Sequence, residues 1–474
     1  MTVEATAPVE SIEASRESYR SDVERSLGTG WQFAGLHVAA GDALVRMSLA
    51  AADGSARLIG VAVRAGQVPS IVDLVPAAGW DEREAADLFG VTFTGHEPIR
   101  PIVNHVQLDR WTVPVRGADA YQVAVGPIHA GVIESGHFRF HVVGDRILHL
   151  DARLFYKHRG LEKAAEGGSA DRGLAYVARA CAGCAVANAV AYAHACEQAL
   201  GLGPSAELAR VRTILLELER VWNHLNDIAA VCAGVGLAVG NNRFAGLTER
   251  ARRLNAALTG HRFLFGTVRI GGSDLAVGAD QIQAARVELA ALHRAAANGW
   301  RELVFNASLQ DRLPDVGVVM ACEAQRLGTV GPAARAAGKA EDVRAGSPRL
   351  AYTGFHPAAV ERANGDVKAR FDQRAIELWQ SFALLEHLLD RPVHPTTAEP
   401  GAAPQPTGIG RVESPRGATT CVVELTAGQV RRLRLRTGSY ANWPTVAYAA
   451  AGNLLPDFPL INKSFELCYA CVDR

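Results

Sequence analysis

Apolar and polar residues alternate over residues 31–50 and again over 55–63, the period-two pattern of strands with one face buried. The polar, acidic residues 1–27 ahead of them read as an arm or a first helix. Residues 79–90 form a short acidic helix with apolar residues at 85, 88 and 89, and 104–122, irregular and carrying Pro114, reads as a boundary. From residue 123 the pattern changes. One strand-like stretch, 138–150, is split by Gly144-Asp145, and long Ala/Leu-rich segments with apolar spacing near 3.6 follow. The clearest is 207–230, where Leu215, Leu216, Leu218, Val221, Leu225 and Ile228 share one stripe; 280–297 and 367–389 are similar. Residues 392–410, rich in Pro, Gly and Thr, break the helical run, and 411–435 return to alternation. The pattern predicts an arm (1–27), a small α+β domain (28–113) and a mainly α-helical domain with small β elements (114–474), without internal repeats.

Composition narrows the function classes. The 49 basic and 49 acidic side chains cancel, so no long-range field favours nucleic acid or an anionic bilayer. Only five of the basic residues are Lys, and Ala and Gly are abundant, which reads as codon bias without functional content. Spanning a bilayer takes about 20 consecutive apolar residues. The nearest candidate, 177–196, is interrupted by Arg179 and His194, and 228–240 is too short. The chain is therefore expected to have no membrane span of its own and to reach a membrane through partners. The N-terminus lacks an apolar core or a twin-Arg, so a reducing compartment is expected.

In such a compartment CxxC usually means metal or redox chemistry. Four of the eight cysteines form two such pairs, Cys181-Ala-Gly-Cys184 and Cys468-Tyr-Ala-Cys471. Each turn places two thiolates within reach of one soft metal, and two turns supply four sulfurs. The 283 residues between Cys184 and Cys468 exclude a zinc ribbon, whose second pair follows after about 15–20. A shared site must be assembled by the whole fold, with two unrelated pairs of buried thiols as the alternative. Cys196, Cys232, Cys322 and Cys421 stand alone and read as packing residues.

Three further segments carry chemistry. Glu134, in Ile133-Glu134-Ser135-Gly136-His137-Phe138-Arg139-Phe140, stands at the entrance to a strand among apolar residues, where partial burial would suit it to proton relay. Arg416, in Glu413-Ser414-Pro415-Arg416-Gly417, is held between Pro and Gly with five donors to offer an anion. His158-Arg159-Gly160-Leu161-Glu162-Lys163 is a charged helix start. His129, His224 and His261 read as core or surface residues rather than ligands.

Together these residues resemble the large subunit of a membrane-associated [NiFe] hydrogenase of the formate-hydrogenlyase type, fused to a small domain like the C component of complex I. Trp80–Val103, with Glu82-Arg83-Glu84, Asp87, Phe89-Gly90 and Gly95-His96, is similar to the signature of that C component. Gly126-Pro127-Ile128-His129, the 158–163 segment and residues 329–344 are of a kind shared with the D component of complex I. The two CxxC pairs and the Glu134 and Arg416 segments separate the chain from the D component, which has lost the cysteines. The second His of the D component's quinone-associated motif falls near Ile133 here and is missing.

The resemblance implies a nickel–iron centre whose iron bears diatomic ligands. Cys181 and Cys468 would be terminal nickel ligands, Cys184 and Cys471 bridging ones. Glu134 would pass protons, Arg416 would lie over the open position, and Arg159 and Glu162 would be cofactor-binding. It further implies electron transfer through an iron–sulfur small subunit like the B component of complex I and through a ferredoxin-like subunit, with no iron–sulfur cluster in this chain and membrane-embedded subunits as partners, on the cytoplasmic side of the cell membrane. The chain departs from the family pattern at Asn188, where a His usually stands, and at Glu466-Leu467, usually Asp-Pro. Its last residue, Arg474, falls where a maturation protease cuts in relatives, so a tail-less product or a processed end is expected. A complex I-like, quinone-linked C/D fusion and a four-cysteine zinc scaffold are the rival readings.

Overall fold

A computed structural model describes residues 9–106, 111–129 and 134–474. In the N-terminal part, strands Gln32–Val38, Leu44–Ala50 and Ala56–Ala62 form an antiparallel meander. The alternation in the sequence foretells all three. Tyr19–Gly28 is the first helix that the arm allowed for, and Glu10–Ala14, unforeseen, adds a strand parallel to Ala56–Ala62. Tyr19, Val23, Leu36, Val45, Met47, Ile59 and Phe93 share one core on the sheet.

The acidic helix Gly79–Phe89 is where the sequence places it, and it turns its charges inward along with Ala85. Leu88 is exposed, whereas Asp81, Glu82 and Glu84 are buried. Glu82 accepts from Ser70 Oγ (2.8 Å), Ile71 N (2.9 Å) and His96 (2.8 Å). Asp81 and Glu84 face Arg434 (2.9 and 2.8 Å), and Arg436 reaches Asp81 at 3.2 Å. Those arginines belong to the strand Gln429–Arg436 of the larger part, so the carboxylates close the boundary between the two parts. The physical reason is charge pairing, which outweighs the lost burial of one Leu.

The larger part is built on the predicted helices. Ala206–Gly234 runs fully buried for most of its length, packed by Ala238–Thr259 and Val367–Leu388, with Ala279–Val304 outside. Strands Tyr121–Val125, His137–Val143 and Arg146–Arg153 form one antiparallel sheet, the last two being the expected hairpin. Tyr121–Val125 straddles the end of the predicted boundary, its first two residues lying within 104–122. Thr407–Ser414, Gly417–Thr426 and Gln429–Arg436 form a second sheet.

The Ala-rich helix Ala185–Leu200 lies across this second sheet at backbone contact. A Cβ at Gly408 would sit 1.9 Å from Ala195 O, and one at Gly410 1.9 Å from Ala191 O. Small residues on both surfaces are required there, so the alanines carry a packing message that codon bias does not explain. This contact fixes Cys184, the residue capping the helix N-terminus. Among the described residues, no helix is long and apolar enough to cross a membrane.

Candidate metal centre

The two CxxC turns meet. The sulfurs of Cys181, Cys184, Cys468 and Cys471 all lie within 4.8 Å of one another, although the turns are 283 residues apart in sequence. Cys184 and Cys471 are fully buried and Cys468 is partly accessible. Metal–thiolate bonds run near 2.3 Å, so sulfurs this close can share one or two soft metal ions.

Each turn is held from several sides. The carboxylate of Glu219 accepts from Val186 N (2.7 Å) and Ala187 N (3.1 Å), the first free amides of the helix after Cys184. Asn223 Nδ2 donates to Gly183 O at 2.9 Å. On the other side Ser439 Oγ accepts from Cys468 N (3.0 Å), and Thr437 Oγ1 donates to Cys471 O (3.3 Å). Asp473 accepts from Phe155 N (2.7 Å) and Lys157 N (2.9 Å), and Arg159 N donates to Arg474 O (2.7 Å). These bonds anchor the last turn of the chain, which would otherwise fray.

Glu134 stands beside the second pair of cysteines. Its Oε2 accepts from Tyr469 N at 2.6 Å and Ala470 N at 3.0 Å. Burial and the charge of Cys468 push its pKa above the ordinary carboxylate value. Ile133, its neighbour in the motif, lies outside the described residues. Arg416 is fixed by a bidentate pair with Asp227 (2.7 and 2.9 Å), and its charge acts on Cys468 and Cys184. Arg220 holds the turn beneath it through Glu413 O (2.6 Å) and Ser414 O (3.2 Å).

Arg159 lies against both turns, its Nη2 donating to Ala180 O (2.8 Å) and Ala470 O (3.4 Å). Glu162 does not join them. Its carboxylate accepts from Leu435 N (2.7 Å) and faces Arg474 (3.3 Å) and Arg434 (3.8 Å) at the boundary between the two parts. Of the lone cysteines, 196, 232 and 421 are buried, but Cys322 is exposed on the short helix Ala321–Arg326, where no core reaches it. His224 is in the core, 3.1 Å from Glu377.

Sequence reasoning missed Glu219, Asn223 and Asp227. They recur at i, i+4 and i+8 on the face of Ala206–Gly234 that looks toward the cysteines. A polar stripe on a helix buried all round was the available signal. Asn188 Nδ2 lies 3.8 Å from Cys471 Sγ, and Glu466, in the left-handed region at φ 48°, ends the helix before Cys468. Burial and the nearby Asp227 raise Glu466 to a pKa of about 7.

The thiols themselves are electrostatically incomplete. Hydrogen bonds from the other three thiols hold Cys468 well below the ordinary thiol value, while the same sharing and burial raise Cys184 well above it. Like charges this close repel, so a bound cation beside Arg416 would stabilise the thiolate form of the set. The cradle is correspondingly tight: a Cβ at Gly183 would lie 3.3 Å from Cys468 Sγ and 3.5 Å from Cys181 Sγ. Buried Asn188 Oδ1, Asn223 Oδ1 and Arg416 Nε have no hydrogen-bond partner.

The description "Respiratory-chain NADH dehydrogenase, 30 Kd subunit" matches residues 43–121, and "Respiratory-chain NADH dehydrogenase, 49 Kd subunit" matches 243–409 and 394–474. Formate hydrogenlyase subunit 5 of Escherichia coli (strain K12) is 31% identical over 86% of this chain and 77% of its own length. Hydrogenase-4 component G of the same organism is 32% identical over 86% and 76%. The chain belongs to the membrane-bound [NiFe] hydrogenase large-subunit family of the formate-hydrogenlyase type. In it the complex I 30 kDa-like and 49 kDa-like units are fused in one polypeptide. Its relatives are oxidoreductases. A chain of the membrane-bound sulfane sulfur reductase, an archaeal respiratory membrane complex, superposes with a TM-score of 0.68 at 25% identity, over 75% of this chain and 99% of that one.

Proposed function

We propose that this chain is the catalytic large subunit of a multisubunit, membrane-associated [NiFe] hydrogenase that interconverts dihydrogen with protons and electrons. The observation that carries the reading is the convergence of four sulfurs within 4.8 Å, flanked by a carboxylate and an arginine. The residues fit the group: the thiol set is soft, short of positive charge, and surrounded by unsatisfied polar atoms. Cys181, Cys184, Cys468 and Cys471 would hold it. When bound, a nickel–iron centre supplies the redox-active coordination position at which dihydrogen is formed or split.

The chain's own side chains do the rest. Glu134, pinned by two backbone amides beside Cys468, holds and releases a proton on its carboxylate; its raised pKa brings it nearer to neutrality, where exchange in both directions is efficient. Arg416, immobilised by Asp227, keeps an unpaired Nε–H and a full charge beside the thiols and favours anionic ligands there. Arg159 ties the backbone of both turns together and acts as a positioning residue. Electrons would leave through an iron–sulfur small subunit resembling the B component of complex I and through a ferredoxin-like subunit. The assembly would sit on membrane-embedded subunits at the cytoplasmic face, with the division near residues 113 and 114 separating the two units.

Elemental analysis of the chain purified with its complex tests this reading. Nickel and iron together are expected. Zinc alone would replace the reading with the scaffold alternative, and absence of metal with the quinone-linked one.

A further inference from the structure

A cavity of about 750 Å³ lies between the N-terminal part and the second sheet of the larger part. Ligand sites typically span about 300–1,000 Å³, and close-packed interiors leave few voids larger than a water. Its position follows from the sheet. Gly408 and Gly410 of the strand Thr407–Ser414 press on the helix Ala185–Leu200, so the alternating residues Ile409, Arg411 and Glu413 face the other way, into the cavity. The N-terminal part supplies the apolar wall, with Trp31, Phe33, Leu74 and Val75. The two parts touch closely at its rim. A Cβ at Gly346 would lie 1.7 Å from Ala52 O, and one at Gly328 2.6 Å from Ala77 Cβ.

The charges lining this space balance, with one exception. Arg326 pairs with Glu323 (2.6 Å), Lys339 with Glu341 (2.7 Å) and Arg349 with Glu197 (2.8 Å). The lining carboxylates Asp73, Asp342 and Glu413 are bound by Arg20 (2.5 Å), Arg344 (2.8 Å) and Arg335 (3.0 Å). Among the described residues Arg411 alone of the lining cations has no carboxylate partner, and its buried Nε has no hydrogen bond. Buried His194 Nε2, on the same cavity, also lacks one. A guanidinium carries five donors and stays charged, so this one awaits an acceptor.

We propose that this cavity binds a small organic anion with an apolar body, its carboxylate-type head on Arg411 and its body against Trp31 and Phe33. Burial pulls Arg411 below the usual guanidinium pKa, although the charges of Glu413, Glu341 and Asp342 act in the other direction. The site is separate from the thiol pocket. None of the four cysteines lines the cavity, and His194 lies ten residues, about 15 Å along the helix axis, beyond the capping Cys184.

Isothermal titration of the full chain with octanoate tests the proposal, with 1-octanol and inorganic phosphate as the apolar-only and head-only controls. Octanoate is expected to bind one site per chain at or below about 1 mM, and octanol and phosphate each about tenfold more weakly. Arg411→Met, which keeps the apolar stem, should weaken octanoate about tenfold, and Arg411→Lys less. Ile409→Trp, which leaves Arg411 in place and fills the cavity, should abolish binding. No saturable octanoate binding, or equal binding by octanol, overturns the proposal. So does unchanged octanoate affinity in Ile409→Trp, even if Arg411→Met fails to fold.

Discussion

Two buried polar regions lie side by side in this molecule and are built on opposite rules. Around Glu217, Glu377 and Glu413 every carboxylate is matched: Arg335 reaches Glu377 (2.8 Å), Glu413 (3.0 Å) and Asp342 (3.1 Å), and Glu217 accepts from Tyr352 and Ser381, both at 2.6 Å. Around the four cysteines, donors and acceptors are left over, including Asn188 Oδ1, Asn223 Oδ1 and Arg416 Nε. Buried polar groups are nearly always satisfied. In the first region the leftover buried atoms are guanidinium nitrogens, Arg344 Nη1 and Arg374 Nε, and no acceptor is stranded; the second also strands the acceptors Asn188 Oδ1 and Asn223 Oδ1, as expected of a site that a bound group would complete. Arg416 links them, its Asp227 partner being shared with Arg374 at 2.9 Å.

The comparison breaks most completely at a ligand. Cys468→Ser removes the thiol that the other three hydrogen-bond and is expected to abolish nickel retention and turnover together, while the far-ultraviolet circular dichroism stays native. Elemental analysis alongside hydrogen evolution checks it. Nickel retained at full occupancy would mean that the four sulfurs are not the donor set.

Arg335→Met acts on the other region. It strands Glu377 and Glu413 in the core, and breaking one side of a buried pair costs about 3–5 kcal/mol. The denaturation midpoint in urea should fall accordingly with an unchanged slope. The pH dependence has a definite sign. Burial alone would raise Glu377, but Arg335 and His224 hold it well below the ordinary value. Its stabilising contribution is present above the unfolded carboxylate pKa and is lost as pH falls through the folded one. Acid unfolding should begin at higher pH in the variant than in the parent.

Much of this is visible in the sequence, and the exceptions have a common cause. The meander strands, the 138–150 hairpin and the three long helices follow from periodicity, because each buries one face or one stripe. The thiol cluster follows from two CxxC pairs whose separation only a whole fold can close. What periodicity misses are the surfaces where charge is buried against charge. Periodicity marks Gly79–Phe89 only as a short acidic helix, and says nothing of its pairing with arginines some 350 residues later in the chain. The strand Glu10–Ala14 forms only because the edge of Ala56–Ala62 is there to receive it. Partners so distant in sequence leave no local trace.

Within the site, Glu134→Gln separates proton transfer from assembly. Glu134 is not a ligand and its two backbone bonds need only an acceptor oxygen, which the amide retains. Metal content should be unchanged and turnover should drop by about 10²–10⁴-fold. Near-normal hydrogen evolution with full metal would make Glu134 a structural carboxylate, and loss of metal would move it into the binding set.

The smallest expected effect is the sharpest test of the contrast between the two regions. Asn188 is fully buried, offers a weak bond to Cys471 at 3.8 Å, and leaves its Oδ1 unpaired. Asn188→Ala removes a helix-interior Asn in favour of the best helix former and deletes an unsatisfied carbonyl, gains that oppose the cost of the small cavity. The metal-free chain should therefore keep its stability to within about 1 kcal/mol, unlike Arg335→Met. Metal affinity should fall about tenfold, the scale of losing a hydrogen bond behind a ligand, read by competition with a chelator. Asn188→His, which restores a ring donor at the same place, should recover part of that loss. If Asn188→Ala instead unfolds the metal-free chain as Arg335→Met does, the polar groups around the cysteines belong to the scaffold, and the contrast between the two regions fails.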